Sequence, residues 1–294
     1  MLSAEFIVNP ISGGKDKSRV VSAIGRYLDS SRFDASVVYT EHAGHGYELA
    51  RASGADVVVA VGGDGTVSEV ARGLVGTSRT FGIIPCGSGD GLALHLGLSR
   101  SPESAVKTIN ALNVINADVA YLNDFPFFCT AGFGLDASVA LDFAKSSRRG
   151  LGRYISLAWE EWKEKPLDTY RISSPDGILF EGEAVFVVAA NANQWGNQAR
   201  IAPMASLTDG LLDLVVIPRF STLEIPDLVT RLMTGHADSS HRFLHWSGPS
   251  FRIVRGTEGA VHFDGDPSEA GTDFTVSVRP GVLKVIASAQ KRKI

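Results

Sequence analysis

The chain has 294 residues, 44% hydrophobic and 20% charged, which suits one large globular domain or two ordinary ones with a substantial core. Its net charge of −4 gives no global reason to bind nucleic acid, and its two cysteines, Cys86 and Cys129, supply neither a metal-binding spacing nor a disulfide framework. No stretch approaches the roughly 20 apolar residues of a spanning helix, and the start of the chain lacks a signal-peptide pattern, so a reducing cytoplasm is the expected compartment and any membrane contact is expected to be peripheral.

Phe6-Ile7-Val8 reads as a first strand, followed by the polar turn Asn9-Pro10-Ile11-Ser12-Gly13-Gly14-Lys15. Val20, Val21, Ile24, Tyr27 and Leu28 then keep helical spacing. The turn lacks the glycine spacing of a P-loop. Residues 35–39 read as the next strand, with Thr40 at its end, and 46–53 as a short helix. The centre of the pattern is Val57-Val58-Val59-Ala60-Val61, a β-branched run of the kind buried on both faces in a parallel sheet. It enters Gly62-Gly63-Asp64-Gly65-Thr66, after which Val67, Val70, Ala71 and Leu74 mark one face of a helix. Thr66 and Glu69 have the spacing of a capping box, which places the helix start at Thr66. Another buried strand, 81–85, ends in Cys86-Gly87-Ser88-Gly89-Asp90-Gly91 and the apolar Leu92, Leu94 and Leu96. Ser101 and Pro102 read as N-cap and first residue of a further helix.

Strands alternating with helices predict an α/β layer with a largely parallel sheet, whose ligands sit at the carboxyl ends of the strands. Asn9, Gly13, Thr40, residues 62–66 and residues 87–89 all fall at such ends. A glycine turn between a strand and a helix N-terminus offers backbone N–H groups and the positive end of a helix dipole, which together favour a polyphosphate. A tight Gly-Asp-Gly turn without a ligand is the plainer alternative.

Beyond residue 118 the pattern changes. Residues 119–123, 127–130, 179–181, 184–190, 211–217, 251–254, 274–278 and 283–286 read as strands, with helical signals mainly at 138–145 and 155–164. This predicts a second, mostly antiparallel β domain over 119–279, with 1–118 forming the first domain and 280–294 completing it. Asp264-Gly265-Asp266 reads as a hairpin turn, but two carboxylates two residues apart also suit a general base or a metal. Asp209, in Thr208-Asp209-Gly210-Leu211, reads as a turn residue that with nearby carbonyls also suits Mg²⁺. His241 and His245 are spaced like two ligands on a helix, without the glutamate of a zinc protease, and both this pair and His42/His45 read as solvated or packed. Arg148, Arg149 and Arg153 form a basic cluster suited to nucleotide phosphates or an anionic membrane surface, with a solvated loop as the default, and Lys291-Arg292-Lys293 is a basic tail.

Taken in order, Asn9-Pro10-x-Ser12-Gly13, Gly62-Gly63-Asp64-Gly65-Thr66, Pro85-x-Gly87-Ser88-Gly89, Asp209-Gly210-x-Leu212-Asp213 and Asp264-Gly265-Asp266 resemble the diacylglycerol kinase catalytic family. That family includes bacterial lipid kinases and sphingosine and ceramide kinases. The segment from Gly132-Phe133-Gly134-Leu135-Asp136 to Gly152-Arg153-Tyr154 is similar to it as well, so the resemblance covers nearly the whole chain. The Gly-Gly-Asp-Gly-Thr block alone is shared with NAD kinases.

The resemblance implies an N-terminal Rossmann-like α/β domain of the NAD kinase and diacylglycerol kinase type, a C-terminal β-sandwich, and ATP with Mg²⁺ in the cleft between them. The implied activity is an ATP-dependent lipid kinase that transfers the γ-phosphate to a hydroxyl of a sphingoid base, ceramide or diacylglycerol. A NAD kinase-like enzyme and a non-catalytic nucleotide-binding regulator are the alternatives. By position, the resemblance puts the nucleotide at Asn9, Pro10, Ser12, Gly13 and Thr40. It adds Gly62, Gly63, Asp64, Gly65, Thr66, Val67, Ser68 and Glu69, and then Gly87, Ser88 and Gly89. Asp209, with the carbonyls of Ser206 and Leu211, matches a structural Mg²⁺ site, and Asp264 and Asp266 match the catalytic turn. Asp266 stands where the family has glutamate, which opens the choice of base between Asp264 and Asp266. Gly91 stands where bacterial diacylglycerol kinases carry an acidic residue, so the third loop looks more like that of sphingosine and ceramide kinases. Asp136 is either a helix cap or a partner for a sphingoid ammonium. The implied partners are a lipid substrate at a membrane surface and the membrane itself, peripherally, with no nucleic acid; a homodimer is left open.

Overall fold

The structure is a computed structural model and describes residues 1–14, 17–135, 137–138, 167–196 and 198–289. It divides into two compact units, Met1–Val119 with Pro280–Ile294, and Ala120–Arg279. Lys15, Asp136, the arginines 148, 149 and 153, the helical signals at 139–145 and 155–164, and the basic tail lie outside the described residues.

The first unit is a parallel sheet with helices. Its strands are β1 (Leu2–Val8), β2 (Phe33–Tyr39), β3 (Val57–Gly62) and β4 (Thr80–Pro85), and its helices are α1 (Ser18–Tyr27), α2 (His45–Ala52), α3 (Asp64–Leu74), α4 (Gly91–His95) and α5 (Pro102–Ala111). The strand order is β2–β1–β3–β4, all parallel, and Lys284 and Val285 pair in parallel with β4. Every residue of β3 is buried, as its uninterrupted apolar run requires. Phe6, Val8, Val59 and Val61 pack with Ile24, Val106 and Ile109 into one core. From β1 the chain steps outward to β2 and then returns to β3 on the other side. The carboxyl ends of β1 and β3 therefore flank the point where the strand order reverses, the place where open α/β sheets bind ligands.

Val67, Val70, Ala71 and Leu74 are at most 6% exposed, so the helical period sets the buried face of α3. The expected capping box is not there. The helix starts at Asp64 behind Gly63, and no side chain caps it. The Glu69 carboxylate instead accepts the N–H groups of Gly44 at 2.7 Å and Gly46 at 3.0 Å, at the start of α2. Two amides at an otherwise uncapped helix start outcompete a local back-bond to the helix's own N-terminus.

The second unit is a sandwich of mostly antiparallel strands. The chain crosses into it along β5 (Val114–Leu122) and continues with β6 (Phe125–Phe127), β7 (Thr130–Gly134), β8 (Asp168–Ser174), β9 (Gly177–Ala190), the short β10 (Gln194–Gly196) and β11 (Ala199–Arg200), and β12 (Leu212–Pro218). A helix, α6 (Ile225–Thr234), precedes β13 (Leu244–Gly248), β14 (Ser250–Arg255), β15 (Gly259–Phe263), β16 (Asp266–Ala270) and β17 (Asp273–Ile286), along which the chain returns. The segments expected at 179–181 and 184–190 are one continuous strand, β9, and those at 274–278 and 283–286 are both in β17. Strand alternation gives β9 and β12 two buried faces. Val187, Ala189, Leu214 and Val216 join Tyr170, Phe133, Phe251 and Phe274 in the sandwich core, while Val188, Ala190, Val215 and Ile217 pack under Leu228 of α6 and Phe243. His245 lies on β13 rather than on a helix, and its Nε2 meets the buried Asp213 carboxylate at 2.5 Å, so the pair with His241 does not share a helix face.

Candidate functional site

Three glycine loops meet at the strand ends of the first unit, and they meet through backbone. Gly13 has φ +64, and a Cβ there would lie 2.1 Å from the Cys86 carbonyl oxygen. A Cβ on Gly63 would lie 3.1 Å from the Gly87 Cα, and one on Gly87 would lie 2.7 Å from the Gly63 Cα. Glycine is therefore required where the loops after β1, β3 and β4 touch. Side chains lock the contact. Asn9 Nδ2 donates to Thr66 Oγ1 at 2.9 Å, its Oδ1 accepts the Ile11 N–H at 3.1 Å, and the buried Lys17 ammonium donates to the Ser12 carbonyl. The end of β2 is tied in by the Thr40 N–H, which donates to the Val8 carbonyl at 2.9 Å.

Asp64, the first residue of α3, fastens the third loop. Its Oδ2 accepts the Asp90 N–H at 2.9 Å and its Oδ1 accepts the Gly91 N–H at 2.7 Å. Its role in this structure is to orient backbone. Of the other residues matched to the nucleotide, Ser12 is half-buried, Pro10, Gly65 and Ser88 are exposed, and Val67 and Ser68 lie on the buried face of α3. Glu69 faces the start of α2, so its part is to fix the neighbouring loop. Sequence reasoning missed Lys17, Asp90 and Arg100, which tie these loops together through partners distant in local pattern.

In the second unit, β15 and β16 form a hairpin in which Phe263 pairs with Asp266, leaving Asp264-Gly265 as a two-residue turn. Both turn residues have positive φ, 53° for Asp264 and 90° for Gly265, the conformation that an Asp-Gly pair favours. The hairpin and the catalytic readings of this turn are compatible. β15 pairs with β7, which brings Asp264 beside the chain entering β7. Its Oδ1 accepts the Cys129 N–H at 2.6 Å and the Thr130 N–H at 3.2 Å, and its Oδ2 accepts the Phe128 N–H at 3.0 Å. Burial pushes the carboxyl up to about 6, against these three amides, which favour its charged form; the nearby Asp266 adds to the rise. The result is a carboxylate fixed in orientation, charged at neutral pH and close enough to neutrality to accept a proton. Asp266 opens β16 and is exposed.

Ser206, Asp209 and Leu211 share one turn, where the Asp209 Oδ1 accepts the Leu211 N–H at 3.0 Å and Gly210 has φ +73. One carboxylate with backbone carbonyls is a set of hard oxygen donors of the type Mg²⁺ takes. His42, His45 and Glu48 also come together, with ligand atoms within 4.8 Å. The histidine rings stack at 4.7 Å, and His45 Nδ1 accepts the Glu41 N–H at 3.1 Å. Among the described residues, no helix is long and apolar enough to cross a membrane.

Comparison with known proteins gives two family matches. Residues 3–122 match the diacylglycerol kinase catalytic domain, and residues 129–287 match the YegS C-terminal NAD kinase beta sandwich-like domain. A protein of Bacillus subtilis named diacylglycerol kinase is 25% identical over 280 residues, covering 90% of this chain and 90% of its own. A Bacillus anthracis protein solved as a candidate diacylglycerol kinase superposes with a TM-score of 0.80 at 25% identity, over 98% of this chain and 97% of its own. An NAD kinase of Archaeoglobus fulgidus, solved with ATP, shares the fold at a TM-score of 0.55 and 14% identity, over 98% of this chain and 94% of its own.

Proposed function

Because this chain belongs to the diacylglycerol kinase catalytic family, we propose that it is an ATP-dependent kinase that phosphorylates a hydroxyl of a lipid. The observation that carries the reading is the backbone cradle in which Gly13, Gly63 and Gly87 allow three loops to meet at the sheet's reversal point. Such a cradle suits a polyphosphate. Phosphoryl transfer needs positioning, charge neutralisation and a deprotonated acceptor. The loops position the nucleotide, and Asp264 takes the proton of the acceptor hydroxyl at Oδ2, the less heavily hydrogen-bonded of its two oxygens. Asp209, with the carbonyls of Ser206 and Leu211, would hold Mg²⁺, which would supply positive charge at this turn of the second unit. The segments Gly87-Ser88-Gly89 and Gly132-Phe133-Gly134 favour a lipid acceptor over NAD.

Asp209→Asn is expected to abolish any rise in melting temperature that MgCl₂ gives the wild-type protein, because ligand binding to the folded state alone sets that rise. An equal magnesium response in both proteins would move the ion elsewhere.

The acceptor class is a sphingoid base or ceramide in preference to diacylglycerol. Gly91 removes the carboxylate that bacterial diacylglycerol kinases carry there, and unmatched polar groups discriminate between substrates far more strongly than acyl length does. In mixed micelles, kcat/KM for sphingosine, dihydrosphingosine or ceramide should exceed that for diacylglycerol and monoacylglycerol by about tenfold or more. A preference for diacylglycerol would end this assignment and leave the kinase reading intact.

The lipid acceptor also requires peripheral membrane contact, for which the sequence offers Arg148, Arg149 and Arg153. The protein should sediment with liposomes containing anionic lipid more than with neutral ones, and less as salt rises. Failure to bind either kind, in an enzyme active on micelles, would contradict it.

A further inference from the structure

Arg100 takes no part in the chemistry proposed above, yet its guanidinium closes the third glycine loop. Its Nε donates to Asp90 Oδ2 at 2.8 Å, and its Nη2 donates to the carbonyls of Ser88 at 3.0 Å and Gly89 at 2.9 Å. Asp90 is 2% exposed and sits at φ +52, a left-handed conformation that needs support in a residue other than glycine. Its Oδ1 accepts the Gly87 N–H at 2.8 Å. With Asp64 holding the N–H groups of Asp90 and Gly91, the loop is fastened at the amides of 87, 90 and 91 and at the carbonyls of 88 and 89. Ser88 is exposed at the apex of this ring, held there through its backbone carbonyl.

An exposed ion pair is worth little, but this one differs. The Asp90 side chain is 1% exposed and lies beside a second carboxylate, Asp64, so Arg100 neutralises a buried charge as well as binding two carbonyls. The planar fork of arginine can reach all three acceptors together, and the point charge of lysine cannot.

We propose that Arg100 is a positioning residue for the nucleotide: it sets ATP affinity by holding the loop that presents Ser88. The inference rests on the kinase reading for its nucleotide arm only. Arg100→Gln should speed hydrogen exchange of a peptide spanning residues 86–91 by about tenfold or more, the scale of lost charge-assisted hydrogen bonds. In the same variant KM for ATP should rise about tenfold with kcat within about threefold. Arg100→Lys keeps the charge opposite Asp90 but loses the fork, so its KM should stay raised while its melting temperature recovers. In a Ser88→Ala background, Arg100→Gln should add less than about threefold to KM, because the two residues act through one loop. Unchanged loop exchange in Arg100→Gln would overturn the proposal, and so would effects of Arg100→Gln and Ser88→Ala that multiply. A wild-type protein without ATP turnover on lipid would sink the kinase reading, while the exchange experiment still decides whether Arg100 holds the loop.

Discussion

Asp264→Asn is expected to lower turnover by about 10²–10⁴, the usual contribution of a general base, while ATP affinity stays within about threefold. The base must be deprotonated to act. With the Asp264 carboxyl pushed up to about 6 by burial, kcat/KM should fall roughly tenfold per pH unit below that value and level off above it. The stability linkage has the opposite sense to that of a salt-bridged carboxylate. Because the folded-state value is raised above an unfolded value of about 3.9, the stability it contributes is fully present below about pH 4 and is lost as pH rises through about 6. An asparagine side chain cannot titrate, so the variant should lose that part of the pH dependence of its melting temperature. The introduced amide would also turn its NH₂ toward one of the N–H groups of Phe128, Cys129 or Thr130, so melting curves must accompany the kinetics. The comparison variant is Asp266→Asn. If it costs more turnover than Asp264→Asn, with ATP affinity intact in both, the base is Asp266.

The second large effect is expected from Asp64→Ala. This carboxylate accepts two backbone N–H groups at the start of α4, and each hydrogen bond to a charged group is worth about 1.5–3 kcal/mol. Their loss frees the third loop where it meets Gly63, at a contact with no space for a Cβ. A misplacement of about 1 Å at a reacting centre can cost about 10²-fold in rate, so kinase activity should fall by at least about that factor. β3 and the buried face of α3 do not depend on Asp64, so far-ultraviolet circular dichroism at room temperature should stay native, with melting lower by about 6 °C or more. Wild-type turnover in this variant would contradict the role of the loop.

The reading from sequence succeeded where the signal is local. The run from Val57 to Val61 identifies β3 because a strand buried on both faces admits no polar residue, and the period of Val67, Val70, Ala71 and Leu74 identifies the buried face of α3. The sandwich was visible as a succession of strand signals after residue 118, although β9 and β17 each looked like two pieces where turn-prone residues interrupt the apolar pattern. What the sequence does not show has one cause: partners far apart in the chain. Glu69 pairs with amides 25 and 23 residues away, Asp64 with amides 26 and 27 away, and Asp264 with amides 134 to 136 away. Spacing within one helix cannot reveal such bonds, so Glu69 looks like a capping residue of its own helix, and the amides that Asp64 and Asp264 hold are not visible. His245 shows the converse, since a separation of four from His241 suggests a helix face that the strand β13 does not provide.

Transfer of the γ-phosphoryl group of ATP to a lipid hydroxyl can be followed through that group itself. Purified protein with Mg²⁺ and γ-labelled ATP would be incubated in parallel with mixed lipid micelles, with NAD, and with no acceptor. Label is expected in the organic-extractable lipid fraction of the first reaction and is expected to be lost in Asp264→Asn. Label on NAD, or ATP bound without transfer to any acceptor, would contradict it.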